Sequence, residues 1–188
     1  MTAALPLHYA LTEAIVAAAG VIGIGQLMAI SRSAALGLAP FALAGLIGAI
    51  QIAGGLTGPI VMVHAFLSRA GAVFGLGCLV AVLAHRRAPQ PAAIGAAAAA
   101  AVIAFPAAGV AIFVVLILGG AVLTFRAAPH RRVMAAVGFA LLLPAQQLTA
   151  ALRPAHPAMA WHLFHVLVAL WLVGIAAIFQ RARLQRAT

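Results

Sequence analysis

The chain has 188 residues, of which 66% are hydrophobic and only 6% are charged. This composition leaves too little polar surface for a soluble domain and favours a polytopic membrane protein. The net charge of +10 does not indicate nucleic-acid binding, because the eleven basic residues are all arginines dispersed between apolar segments. The single cysteine, Cys78, cannot form an intrachain disulfide.

The first apolar segment follows MTAALPLHYALTEA, which contains no Lys or Arg and no small-residue cleavage site. We therefore expect this segment to remain as a helix and not to be a removable signal peptide. Further along the chain, prolines precede most of the apolar segments, and proline is tolerated in the first turn of a helix. Together these patterns predict one transmembrane domain over residues 1–188 with seven spans, at about 9–30, 38–56, 60–84, 91–105, 107–125, 131–151 and 157–180.

Two details of these spans can be tested structurally. Pro144 is the one proline expected inside a span, and it should kink the sixth helix because it frees the carbonyl of Ala140. Glycines should allow the first three helices to pack closely. They are Gly20, Gly23, Gly25, Gly45, Gly48, Gly71 and Gly75.

Residues 91–125 form either one very long helix or two short helices separated at Phe105–Pro106, and the arginine distribution favours two. With seven spans, an outside N-terminus and an inside C-terminus, nine of the eleven arginines lie inside. These are Arg32, Arg86, Arg87, Arg126, Arg131, Arg132, Arg181, Arg183 and Arg186. Six spans would place Arg126 on the opposite side from Arg86, against the positive-inside rule.

Polar residues concentrate near the outer ends of five helices, within roughly 12 Å of one interface. They are Glu13, Gln51, His64, Arg69, Gln146, Gln147, His162 and His165, with Tyr9 and Trp161 as expected interfacial aromatic residues. The inner halves of these helices are almost wholly apolar, apart from Gln26. This distribution predicts a polar pocket that opens toward the outside face.

Glu13 is the only acidic residue in the chain, and an isolated carboxylate in a membrane needs a proton or a partner. Arg69, at a similar predicted depth, is the expected ion-pair partner. The alternatives are a catalytic or ligating role for Glu13, or exposure at the interface. The three glutamines could bind a ligand, although hydrogen bonding between helices is the commoner use of amides in membranes.

His162 and His165 share one face of the last helix and are the strongest candidates for a functional site. His64 could belong to the same site or lie at the interface. His85 and His130 adjoin arginines in predicted inside loops, where we expect them to be solvated.

The segment His162-Leu163-Phe164-His165-Val166-Leu167-Val168 resembles the last helix of the superfamily of adiponectin receptors, hemolysin III-type proteins and alkaline ceramidases, and in particular its small bacterial members. The resemblance implies a seven-helix fold and zinc-dependent hydrolysis of lipid amides or esters. The chain departs from the family's His-x-x-x-His pattern at Trp161, has Gln51 where the second helix should supply a histidine, and contains no Asp.

Three functions are compatible with this pattern. The first is a metal-binding protein of degenerate lipid amidase or esterase type, with zinc held by His162, His165 and Glu13, or with His64 as an alternative ligand. The second is a b-type haem protein, or an accessory subunit of a respiratory complex, with axial His64 and His165. The third is a carrier or binding subunit for a lipid or another apolar small molecule, without a cofactor.

Other functions are less compatible with the sequence. The apolar inner half argues against an open ion path. A retinal pump is excluded because the chain has no lysine to form a Schiff base. The expected location is the bacterial cytoplasmic membrane, where partners would be the lipid bilayer and other membrane proteins.

Overall fold

The computed structural model describes residues 6–85, 89–128 and 131–184, with side chains up to residue 180. Within these ranges the chain is helical and has no strand. The helices are α1 His8–Met28, α2 Arg32–Ala53, α3 Pro59–Leu83, α4 Gln90–Ala104, α5 Gly109–Ala127, α6 Arg132–Ala140, α7 Leu142–Leu152 and α8 Pro157–Leu184. The predicted all-α bundle of apolar helices is therefore confirmed.

Among the described residues, five helices are long and apolar enough to cross a membrane: α1, α2, α3, α5 (with the 3-10 turn Pro106–Ala108 before it) and α8. A sixth span is possible if the bent pair α6 and α7 counts as one. Helix α4 has 15 residues and is about 22 Å long, shorter than the roughly 30 Å hydrocarbon core. Length and composition thus support five or six spans. The predicted loop residues Arg86, Arg87 and His130, and Arg186, lie outside the described residues.

The predicted start of the second span was wrong. Helix α2 begins at Arg32, not near residue 38, because the side chain of Ser31 accepts a hydrogen bond from the Ala34 N–H at 3.2 Å. Pro40 is consequently buried inside α2, so Pro144 is not the only proline within a helix. The packing of neighbouring helices makes an internal proline tolerable in a membrane bundle.

Two predicted interruptions are confirmed. Residues 91–125 are divided between α4 and α5, and the break lies at Phe105. The sixth predicted span bends by 43° between α6 and α7, three residues before Pro144. Pro144 has no N–H to donate to the carbonyl of Ala140, and this missing hydrogen bond accounts for the position of the bend.

Close helix packing occurs at most of the predicted glycines. A Cβ atom on Gly20 would lie 2.6 Å from that of Ala42, and one on Gly45 would lie 2.8 Å from the carbonyl oxygen of Glu13. Gly25 instead faces open space. Helix α1 therefore lies directly against α2, and on its other side it contacts α8. This arrangement surrounds Glu13 with neighbouring helices.

Candidate functional site

Glu13 is buried at the contact between α1 and α2, with only 2% of its surface exposed. It lies about 7.5 Å along α1 from the first residue of that helix. Opposite the carboxylate, α2 has Gly48, and a Cβ atom there would lie 2.7 Å from Glu13 Cδ. The missing side chain at Gly48 thus provides the space that the carboxylate occupies.

Two histidines from different helices approach the same oxygen of this carboxylate. The Nε2 atom of His165, on α8, lies 3.1 Å from Glu13 Oε1, and Nε2 of His64, on α3, lies 3.5 Å from it. Both imidazoles are largely shielded, with side chains 12% and 19% exposed respectively. Three helices that are distant in sequence therefore each contribute one polar group to the centre formed by Glu13, His64 and His165.

The other ring nitrogen of His165 determines what this centre requires. Its Nδ1 atom lies 2.7 Å from the backbone carbonyl of Trp161, and a carbonyl only accepts, so Nδ1 carries a proton. In a neutral ring with this tautomer, Nε2 is bare and faces Glu13 Oε1, which accepts no well-aligned hydrogen bond from the described residues. Two bare acceptors 3.1 Å apart repel each other, so the centre needs an added proton or a metal cation.

The predicted Glu13–Arg69 ion pair is not formed among the described residues. Glu13 contacts the two histidines, whereas Arg69 lines a different cavity. Even in a regular α-helix, Arg69 lies roughly 140° around the axis from His64, so the two side chains cannot both face Glu13. A π-helical turn, Leu67–Gly71, further changes the direction of the residues that follow His64.

A cavity of about 90 Å³ adjoins the centre. One water needs roughly 10–15 Å³ by this measure, so several would fit. The polar wall residues, besides the centre itself, are Ser68 and Gln146, while Phe41, Phe113 and Phe164 provide apolar walls. The centre is therefore accessible to a small polar molecule.

His162 does not join His165 in the centre. Its Nδ1 atom lies 3.3 Å from the hydroxyl of Thr12, and its ring lies 5.2 Å from that of Tyr9. Trp161 lies 5.2 Å from Tyr9 and stacks on His165 at 4.6 Å, measured between ring centroids. The first turns of α1 and α8 thus form an aromatic cluster beside the centre.

The three glutamines predicted for the pocket have different environments. Gln146 lines the small cavity and also the larger cavity near Arg69. Gln51 is half-buried, and its buried Oε1 has no hydrogen-bond partner among the described residues. Gln147 is exposed and lines neither of these two cavities.

Three contributions to the site were not predicted from sequence: Thr12, Ser68 and the space at Gly48. Ser68 follows His64 by four residues, which is a detectable same-face spacing. Thr12 adjoins Glu13 in sequence. The sequence around Gly48 does not indicate its role, because that role depends on which residue of α1 lies opposite.

Among the described residues, no group of three or more His, Cys, Asp or Glu side chains is placed so that it could hold a metal ion. Comparisons with protein-family models, curated proteins and solved structures found no match. Fold and site therefore define a class, an all-helical bundle of apolar helices with a buried carboxylate–imidazole centre. Its function has to be argued from that centre.

Proposed function

We propose that this chain is an integral membrane protein of the bacterial cytoplasmic membrane whose Glu13–His64–His165 centre binds a zinc-class divalent ion. The supporting observation is the 3.1 Å contact between His165 Nε2 and one carboxylate oxygen, while Nδ1 lies 2.7 Å from a backbone carbonyl. A cation at this position removes the repulsion between the two acceptors.

The donor set suits zinc, which in open sites is held by three protein ligands chosen from imidazole nitrogens and carboxylate oxygens. With ligand distances of about 2.0–2.1 Å, tetrahedral geometry separates neighbouring donors by about 3.3 Å. The two separations from Glu13 Oε1, 3.1 and 3.5 Å, are close to this value. Because the three groups as placed do not form a metal centre, binding would require their side chains to rearrange.

The backbone carbonyl of Trp161 supports this ligand assignment. Metal-bound histidines commonly donate their second N–H to a carbonyl or a carboxylate, which fixes the tautomer and the ring orientation. The 2.7 Å contact between His165 Nδ1 and Trp161 fulfils this requirement. Stacking of the Trp161 indole on the imidazole restricts the ring further.

Hydrolysis of a lipid amide or ester is the reaction that this centre would serve. A bound zinc ion supplies Lewis-acid polarisation of a carbonyl group. Ser68 and Gln146 can orient a polar group in the adjoining cavity. However, Glu13 cannot be both ligand and general base, and the chain has no other acidic side chain. The proposal for the protein is therefore metal binding, with hydrolysis as its extension.

Haem fits the centre less well than zinc. Bis-histidine haem requires both Nε2 atoms to face an iron with a porphyrin between them, whereas His64 and His165 both contact the Glu13 carboxylate. The adjoining cavity of about 90 Å³ is also well below the roughly 300 Å³ of small ligand sites.

Metal content of the purified protein tests the proposal. Protein prepared without metal-affinity steps should bind about one zinc per chain, and Glu13→Gln, His64→Gln and His165→Gln should each weaken binding by about tenfold or more. His162→Gln is the matched control, one turn away on α8, and should bind zinc like the wild type. The proposal is overturned if the wild type binds no zinc, or if His162→Gln loses as much zinc as His165→Gln.

A second candidate is a proton-binding site in a carrier for an apolar small molecule. The direct contact of 3.1 Å between Glu13 Oε1 and His165 Nε2 supports a shared proton at this position. In that case zinc should not bind, and the pH dependence of thermal stability should change in Glu13→Gln. An unchanged pH profile in that variant would exclude this alternative.

The proposal includes seven spans with the N-terminus outside and the C-terminus inside. The arginine distribution and the break at Phe105 support it, because α4 and α5 are separate helices; the short α4 would cross where the bilayer is locally thinned. Reporter fusions after residues 88 and 128 should both report the inside. Opposite locations for the two fusions would contradict seven spans.

A further inference from the structure

A second cavity, of about 510 Å³, lies between α3, α4 and α5 and contains Arg69. It adjoins the smaller cavity, because Ser68, Phe113 and Gln146 line both. Ser68 and Arg69 belong to the π-helical turn Leu67–Gly71, a local distortion that often occurs at functional sites. The volume is typical of a small-molecule binding site.

Arg69 has no acidic side chain of its own chain as a counter-ion. Glu13 is the only acidic residue in the sequence, and its carboxylate contacts His64 and His165. The Cα atom of Arg69 lies about 15 Å along α3 from Pro59, and its side chain is exposed on the bundle. Helical side chains lean toward the N-terminus of their helix and long basic side chains extend toward the interface, so the guanidinium can reach the level of lipid phosphates at the predicted outer end of α3. An anionic partner at that level would come from another molecule.

The walls of this cavity indicate what kind of molecule that is. Apart from Ser68, Arg69 and Gln146, the lining residues are apolar. Three of them are strongly exposed on the bundle surface: Phe66 is 54% exposed, Ile103 57% and Val110 75%. In a membrane these side chains face lipid, so the cavity opens sideways into the bilayer. An occupant with a negative group and an apolar chain fits both features.

We propose that an anionic phospholipid binds in this cavity, with its phosphate at Arg69 and an acyl chain along α4 and α5. The planar guanidinium presents paired N–H donors that match phosphate oxygens. Ser68 and Gln146 add hydrogen-bonding groups to the lining of the same cavity. This binding does not depend on a metal at the Glu13 centre.

The experiment compares protein reconstituted in vesicles of phosphatidylcholine alone with protein in phosphatidylcholine mixed with phosphatidylglycerol. Lipid retained through purification is identified by mass spectrometry, and thermal stability is measured in both vesicle types. The wild type should retain phosphatidylglycerol and be more stable in the mixture. Arg69→Gln should weaken retention by about tenfold or more, as loss of a charge-assisted hydrogen bond implies.

Two further variants serve as controls. Arg69→Lys keeps the positive charge but lacks the paired N–H donors of the planar guanidinium, so this variant should retain an intermediate amount of phosphatidylglycerol. Arg153→Gln removes an arginine at the C-cap of α7 and should behave like the wild type. Zinc content should be unchanged in Arg69→Gln, which separates this proposal from that for the Glu13 centre.

Three outcomes would overturn the proposal. One is equal retention of phosphatidylglycerol by wild type and Arg69→Gln. Another is equal loss in Arg153→Gln, which would indicate a general effect of net charge. The third is recovery of a single-chain fatty acid in place of phospholipid, which would mean that the cavity selects a carboxylate.

Discussion

The contact between Gly48 and Glu13 allows a quantitative test of the site geometry by the substitution Gly48→Ala. The added methyl carbon would lie 2.7 Å from Glu13 Cδ and 2.8 and 2.9 Å from the two carboxylate oxygens. Ordinary carbon contacts are about 3.5–4.0 Å, so the carboxylate must retreat by roughly an ångström. In the folded site it already contacts His64 and His165, which limits that movement.

The expected cost of Gly48→Ala is about 1–3 kcal/mol of unfolding free energy, the usual range for an extra methyl in a packed core. The same substitution in an open part of a helix stabilises by roughly 0.5–1 kcal/mol, because alanine loses less backbone entropy than glycine. Gly25→Ala provides this control, since a Cβ atom on Gly25 meets nothing within 4 Å.

Reversible unfolding in mixed detergent micelles measures both variants, and a double-mutant cycle identifies the cause. If the methyl acts on the carboxylate, Gly48→Ala should cost much less in a Glu13→Ala background, where the crowded group is absent. The reasoning is refuted if Gly48→Ala is as harmless as Gly25→Ala. Equal costs in both backgrounds would mean that the methyl disturbs the backbone of α1 and not the carboxylate.

Three more predictions follow from other contacts. Trp171→Phe should cost about 1–3 kcal/mol of unfolding free energy, because the buried carbonyl of Phe139 loses the indole N–H donor at 2.9 Å; no change in the unfolding midpoint would contradict this. Cys78 is fully buried and should react with a maleimide only after unfolding, so rapid labelling of folded protein would contradict its placement. Zinc affinity should fall as pH falls, because protons compete for the imidazoles and the carboxylate, and Glu13→Gln should reduce that dependence.

The positions of the helix breaks were accessible from sequence because they depend on local chemistry. Proline lacks an N–H wherever it occurs, so the bend before Pro144 and the break at Phe105 could be predicted from residue type alone. The start of α2 was missed for a related reason. The Ser31 cap and Pro40 both allow a helix start, and only packing determines which of them begins the helix.

The identity of the groups around Glu13 was only partly predictable. Sequence places Glu13, His64 and His165 at similar depths, but it does not fix how each helix is rotated about its axis. His162 and His165 are separated by roughly 60° around the axis of α8. This rotation directs His162 toward Thr12 and His165 toward Glu13. Arg69 was expected to pair with Glu13 on depth alone, and rotation excludes it.

The burial of Glu13 argues for a role beyond stability. A buried carboxylate loses its hydration, and an apolar side chain of similar size commonly gives equal or greater stability in such a place. This chain uses no other acidic residue, yet its one carboxylate is buried against a glycine on α2 and two histidines from other helices. Packing alone does not require these polar groups, so their convergence, with His165 Nε2 at 3.1 Å from Glu13 Oε1, is the reason for testing whether a metal ion or only a shared proton occupies this centre.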